Sequence, residues 1–288
     1  MTPNIKGSLF MILAMAGFAV EDMFLKCAAS RGVPVGLILI LFGTGGALIF
    51  ASLVARQHDP LFPRHALHRA IAAKSAAEIL GRLFFTLALA YGTLSATTAI
   101  LQATPLVVVA GAALLFGEKV GWRRWAAICV GLAGVLVILR PGLDAFTLPS
   151  LFAVLGMLGF AGRDLGTRAA PKSLSGAQLG LYGFLVMIPT GAGLLLWQGN
   201  IATPTPAGVG FVALGTVFGV CAYAALTNAM RTGEVSVVTP FRYTRLLFGI
   251  GFGLLIFGER PDLLTWIGSA VVLSTGLYTM LRERRAKA

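Results

Sequence analysis

The sequence predicts an all-α polytopic membrane protein, ten transmembrane helices arranged as two inverted five-helix repeats within one transmembrane domain spanning residues 1–288. Three observations lead there. Of 288 residues, 57% are hydrophobic and 12% charged, about half the charged share of an ordinary soluble domain. The apolar runs from Val33 to Ala55, Leu94 to Gly117, Ser175 to Trp197 and Leu263 to Leu281 each reach the roughly 20 residues that crossing a bilayer requires. Blocks of sequence also recur at a fixed spacing.

Hydropathy and turn chemistry place the helices near 5–28, 33–55, 70–91, 95–116, 122–139, 148–168, 175–197, 206–230, 235–257 and 262–282. In the first, Lys6 precedes an apolar stretch and Ala14-Met15-Ala16 resembles a leader cleavage site. The stretch from Ser8 to Leu13 is too short for a leader's apolar region, and apolarity continues through Val20, so a retained helix is expected. Arg31-Gly32-Val33-Pro34 breaks the chain before the second helix, Arg140-Pro141-Gly142 after the fifth, and the segment from Gly199 to Pro206 after the seventh. No interval is long enough for a soluble domain.

Lys and Arg total 23 against 11 Asp and Glu, a net charge of +12. In a soluble chain that surplus would raise nucleic-acid binding; in a membrane protein it follows from enrichment of basic residues in cytoplasmic loops. With a cytoplasmic N-terminus, inner segments hold Lys6, the cluster Arg56, Arg64, Arg69 and Lys74, the cluster Lys119, Arg123 and Arg124, then Arg168, Lys172, Arg231, and Arg282, Arg284, Arg285 and Lys287. Outer loops hold only Arg31, Arg140 and Arg260. The bias predicts a membrane protein with both termini cytoplasmic.

The repeat appears at an offset of 141. Phe116-Gly117-Glu118-Lys119 aligns with Phe257-Gly258-Glu259-Arg260, Trp125 with Trp266, Gly92 with Gly233, Ser95 with Ser236 and Thr98 with Thr239. Near the start of each half the offset is 142, pairing Phe18, Ala19, Asp22, Lys26 and Ala28 with Phe160, Ala161, Asp164, Arg168 and Ala170. Repeat 1 covers about 1–143 and repeat 2 about 144–288. Five helices per repeat make the second copy enter the membrane from the opposite side, and such repeats place substrate near the midplane.

The two Phe-Gly-Glu-Lys/Arg turns, the Trp that follows each, the small-residue segments after Gly92 and Gly233 and the ten spans resemble the drug/metabolite transporter superfamily, its EamA-like branch, and within it the bacterial aromatic amino-acid exporters. The resemblance implies a ten-helix inverted-repeat fold and export of small metabolites. One departure is that Pro105 of the fourth span does not align with Pro240 of the ninth, which predicts kinks at different depths in the two halves.

Polar groups inside the spans are the candidate site. Helices 1 and 6 carry Glu21, Asp22 and Lys26 and, at matching places, Arg163, Asp164 and Arg168. Asp22 with Lys26 and Asp164 with Arg168 are i,i+4 pairs, read either as gating pairs or as interfacial anchors that snorkel. Glu78 and Arg82 form another such pair, followed by Phe84, Phe85 and Tyr91; a structural ion pair is the plainer reading of Glu78. Pro240-Phe241-Arg242-Tyr243-Thr244-Arg245 puts two cations and an aromatic beyond a helix breaker, read as vestibule lining or headgroup anchors. Tyr223, Thr227 and Asn228, with Thr97, Thr98 and Thr104, read as interhelical hydrogen-bonding groups or ligand contacts. Gln102, midway along its helix and just before Pro105, is favoured as a ligand contact. The expected cavity set is therefore Arg82, Phe84, Phe85, Tyr91, Gln102, Tyr223, Asn228, Arg242 and Tyr243. Gly215/Gly219 and Gly249/Gly253 read as close-packing seams.

No enzyme is expected. His58, His65 and His68 sit together in one loop, Cys27, Cys129 and Cys221 lack disulfide or zinc spacing, and there is no phosphate loop. Neither cofactor nor metal is implied. The predicted function is a secondary, alternating-access carrier exporting neutral, including aromatic, amino acids. The alternatives are a carrier for another class, such as nucleotide sugars or organic cations, or a channel. The expected partners are a small-molecule substrate and the bilayer, not nucleic acid, with the chain a monomer or weak homodimer.

Overall fold

A computed structural model describes residues 3–63, 66, 68–117, 121–139, 147–171, 173–199, 203–232 and 239–287, and among them every regular element is helical. In chain order these are α1 (Pro3–Ser30), α2 (Val35–Arg56), α3 (Arg69–Tyr91), α4 (Leu94–Leu101), α5 (Thr104–Phe116), α6 (Trp122–Leu139), α7 (Leu148–Ala169), α8 (Gly176–Leu185), α9 (Met187–Gln198), α10 (Pro206–Thr232), a 3-10 turn (Thr239–Tyr243), α11 (Thr244–Phe257) and α12 (Leu263–Lys287). Helix falls in each of the ten expected spans. Among the described residues six stretches are long and apolar enough to cross a membrane by length and composition, namely Pro3–Ser30, Val35–Arg56, Leu94–Leu115, Leu148–Thr167, Gly176–Gln198 and Pro206–Ala229. Helix α3 misses that mark because Lys74, Glu78 and Arg82 lie within it, and all three are buried. Lys74, counted above as a cytoplasmic loop cation, is therefore an interior residue at 0% exposure.

Three spans are broken, two of them just ahead of a proline. The fourth stops at Leu101 and restarts at Thr104 with Pro105 in its first turn. The seventh breaks at Val186, three residues before Pro189. The ninth enters through the 3-10 turn that contains Pro240 and becomes α-helical at Thr244. Proline lacks an N–H and crowds the preceding turn, so the helix resumes only at or near it. The expectation that the halves kink at different depths is corrected. At an offset of 141, Gln102 and Ala103 correspond to Tyr243 and Thr244, so the two breaks coincide although the prolines do not.

The main packings join the two halves. Helix α1 lies along α10, α3 along α7, α2 against α8 and α9, α6 against α12, and α4 against α11. Exchanging the halves maps this set of pairings onto itself, the signature of a pseudo-twofold relation. Apolar cores form around Phe42, Phe50 and Phe184, around Phe85, Ile100 and Leu246, and around Met11, Phe18 and Ala222. Large apolar side chains such as Leu13, Leu115, Leu196 and Leu255 remain exposed on the outside, as a lipid-facing surface requires.

Candidate functional site

The two helix breaks in the fourth and ninth spans meet at the centre of the bundle. Gln102 Nε2 donates to the backbone carbonyls of Tyr243 (3.4 Å) and Arg242 (3.5 Å). Because Tyr243 is the repeat counterpart of Gln102, this contact puts both on the pseudo-twofold axis. A backbone carbonyl carries two lone pairs, so each of these can accept the amide beside any helical bond it makes. They only accept, so the amide must present its NH2 to them, and Oε1 is left as an acceptor without a partner among the described residues.

Beside Gln102 opens a narrow cavity of about 50 Å³, whose wall includes Phe18, Phe160, Arg82, Arg163, Arg242 and Arg245. Phe18 and Phe160 are counterparts at offset 142, so the repeat contributes one ring from each half. Each guanidinium is anchored from behind. Arg82 Nη1 reaches Glu21 Oε1 at 2.5 Å, Arg245 holds Asp22 Oδ2 through Nη2 at 2.6 Å and Nε at 3.1 Å, and Arg242 Nη2 meets Asp164 Oδ2 at 3.2 Å. Arg163 binds Asp164 Oδ1 through Nη2 (2.8 Å) and Nε (3.0 Å) and approaches Glu78 at 3.6 Å. Glu78 in turn meets Lys74 at 3.3 Å. Aromatic faces complete the coordination: Arg82 lies over Phe42, Arg163 over Phe160, and Arg245 over Phe18 and Phe85. In low dielectric such pairs persist only when both charges keep partners.

This wiring corrects the local i,i+4 pairing expected from the sequence. Asp22 pairs with Arg245 rather than Lys26, and Glu78 with Lys74 and Arg163 rather than Arg82. Asp164 meets Arg163 and Arg242, while the Arg168 side chain lies outside the described residues. The physical reason is burial. Asp22 is 0% and Glu21 1% exposed, so neither snorkels, and for Asp22 a packed neighbouring helix offers a better-placed cation than the next turn of its own. Glu78 keeps an i,i+4 partner, Lys74 on the turn before it, and gains Arg163 from α7.

Lys26 finds its partner at the other end of α4. It pairs with Glu259 at 3.4 Å and donates to the Gly92 carbonyl. The Glu259 carboxylate also accepts from the backbone N–H of Leu94 (2.7 Å) and Ser95 (2.9 Å) and from the Ser95 hydroxyl (2.7 Å). It thus caps α4 from the opposite repeat, satisfying donors that a helix start leaves open. Gly258, at φ +63, makes the left-handed turn that delivers it, as Gly117 does at φ +65 in the first half, a conformation glycine adopts without strain.

Several expected cavity residues lie elsewhere. Tyr91, last in α3, is 61% exposed. Phe84 points about 200° from Arg82 around the helix and stacks on Phe152 at 5.8 Å. Phe85 is fully buried behind Arg245, and Tyr223 packs edge-on against Phe50 at 5.4 Å. Asn228 is exposed on α10, and Tyr243 contributes its carbonyl while its ring is buried. Of the expected set Arg82, Gln102 and Arg242 do line the cavity, joined by Arg163, expected as a gating charge, and by Phe18, Phe160 and Arg245. The two rings were flagged only by their alignment in the repeat. The seams at Gly219 and Gly253 do more than pack helices: a Cβ at Gly219 would sit 2.8 Å from Glu21 Oε2, and one at Gly253 would sit 2.5 Å from Glu259 Oε2. Each glycine makes room for a carboxylate.

Comparison with known proteins agrees with this architecture. The model of the EamA-like transporter family matches twice, over residues 5–140 and 147–281. A riboflavin transporter of Rhizobium johnstonii is 28% identical over 97% of this chain and 92% of its own length. The pseudopaline exporter CntI of Pseudomonas aeruginosa PAO1 is 24% identical over 93% of each. A crystal structure at 16% identity superposes with a TM-score of 0.67, covering 96% of this chain and 98% of that one, which shows a shared fold. Two family matches spanning nearly the whole chain establish that it belongs to the EamA-like transporter family.

Proposed function

We propose that this chain is a secondary carrier that moves a small metabolite across a bacterial inner membrane through the central cavity, by alternating access between two inverted repeats. The observation that carries the reading is the meeting of two discontinuous spans at Gln102 and Tyr243, beside a cavity lined by arginines and rings from both halves. Discontinuous helices at corresponding points of two repeats are where carriers hold substrate. The Lys26–Glu259 pair is the candidate closure on one face, and Glu21, Asp22, Arg163, Asp164 and Arg168 the charges that reorganise as the halves rock.

For substrate, export of aromatic amino acids rests on the sequence resemblance and on Phe18 and Phe160 facing cationic groups. A flat heteroaromatic compound such as riboflavin is the second reading, favoured by the relative of that name, which aligns over 97% of this chain. Counter-flow in proteoliposomes decides between them. Liposomes preloaded with phenylalanine, tryptophan or riboflavin should accumulate the matching labelled compound transiently and saturably. Continuous, non-saturating flux would identify a channel instead.

A further inference from the structure

We propose that the cavity selects an organic monoanion, a carboxylate joined to a flat apolar ring with an N–H donor beside it. Arg242 and Arg163 hold the carboxylate, and Gln102 Oε1 accepts the N–H. This proposal rests on the carrier reading and, within it, ranks an acylated anion above the free amino acid.

The first support is what faces the space. Among the described residues the cavity wall holds four guanidiniums, those of Arg82, Arg163, Arg242 and Arg245, and no carboxylate. The acids that anchor them stand behind. Glu21 and Asp22 are 1% and 0% exposed, Glu21 Oε2 lies against the bare backbone at Gly219, and Asp164, its side chain 18% exposed, has both oxygens engaged by Arg163 and Arg242. A cation entering the cavity meets like charge first, and an anion meets donors.

Second, the cluster's own charges do not balance. Lys74, Arg82, Arg163, Arg242 and Arg245 are linked to Glu21, Asp22, Glu78 and Asp164, which leaves one positive charge over among the described residues. A buried uncompensated charge is costly, so one negative charge on the substrate is the complement. Among the described residues Arg82 and Arg242 each make a single side-chain bond, to Glu21 and Asp164, and of the two Arg242 is the more open to the cavity, its side chain 17% exposed against 8%. A planar fork with free N–H groups suits a carboxylate.

Third, Gln102 cannot serve as a second donor, because its NH2 is committed to the carbonyls of Arg242 and Tyr243. Its remaining atom is an acceptor, on a side chain that lines the same cavity as Arg242. The site therefore asks for an anion and a donor side by side, with Phe18 and Phe160 flanking. An α-amino acid carries an ammonium where the site offers no counter-charge, so its acylated form fits better than the free zwitterion.

Three compounds share one ring and differ in charge: N-acetylphenylalanine (monoanion with an N–H), phenylalanine (zwitterion) and phenylalaninamide (cation). Binding to the detergent-purified wild-type chain, measured by calorimetry, should rank them in that order, with the monoanion at least tenfold tighter than the cation. Gln102→Glu, which adds a negative charge to the wall, should abolish the preference for the monoanion, and Arg242→Gln should weaken its binding about tenfold. Equal affinities, tighter binding of the cation, or no binding of the monoanion overturns the proposal, and because the ranking is read on wild-type protein, misfolded variants do not rescue it. Counter-flow with riboflavin or tryptophan that persists alongside such a failure leaves the carrier reading standing. A correct charge ranking without counter-flow of any panel compound refutes the carrier reading instead.

Discussion

Asp22 shows how a single residue ties the halves together. Its Oδ2 accepts two bonds from Arg245, a residue of the other repeat, while its Oδ1 is buried without a hydrogen-bond partner. Removing one member of a buried pair leaves the other charge stranded, at a cost of about 3–5 kcal/mol, whereas replacing both is far milder. Asp22→Asn should therefore lower stability by about 3 kcal/mol, and Asp22→Asn combined with Arg245→Gln should recover at least half of it. Reversible unfolding in mixed detergent micelles measures both, and an additive double variant would show that the two side chains do not act as a pair. Gly219 gives a sharper steric forecast. A methyl group there must displace Glu21 Oε2, so Gly219→Ala should cost about 1–3 kcal/mol and slow transport. At Gly215 the added atom meets the flexible end of Leu25 at 3.1 Å, and Gly215→Ala should be nearly silent in the same assays.

At the scale of elements, α4 is a rigid strut of eight residues with a functional group at each end. Its N-terminus is clasped by Glu259 and Lys26, and it runs out at Gln102 on the cavity wall. Glu259→Ala removes the cap from Leu94 and Ser95 and strands Lys26. The expected loss is about 1–2 kcal/mol from the cap alone, seen as a lower melting temperature in detergent, while Glu259→Gln should retain part of the cap. Equal melting temperatures for Glu259→Ala and wild type would refute the capping role. The charged helices show why hydropathy reads elements unevenly: α3 falls below the apolarity of a span because its charges are paired inside the bundle. A window average counts residues without knowing their partners.

For the whole molecule, orientation is the expectation most exposed to test. In a chain with Cys27, Cys129 and Cys221 replaced, a cysteine at Gly199 should label with an impermeant maleimide added outside intact cells, and one at Gly32 should do likewise. A cysteine at His58 or Lys172 should label only after permeabilisation. The reverse pattern would invert the topology, and labelling of His58 and Gly199 from the same side would refute the inverted arrangement. Lys172 lies outside the described residues, so His58, on the turn after α2, carries the inner-side comparison structurally.

Much of the fold was legible in sequence because bilayer physics is one-dimensional: a span needs a run of apolar residues, a break needs glycine or proline, and a repeat needs only alignment. Those rules located every helical segment, paired Phe18 with Phe160 and Asp22 with Asp164, and singled out Gln102. They missed the partners of the charges. From spacing alone Asp22 belongs with Lys26 and Glu78 with Arg82, since residues four apart share a helix face. Only tertiary packing brings Arg245 to Asp22, Arg163 to Glu78, and Glu259 to the start of α4, across separations of up to 223 residues, and it also decides that Glu78 takes Lys74 rather than Arg82 as its partner on its own helix. Pairing energy inside the bundle depends on three-dimensional distance and on the absence of water, neither of which a linear pattern records.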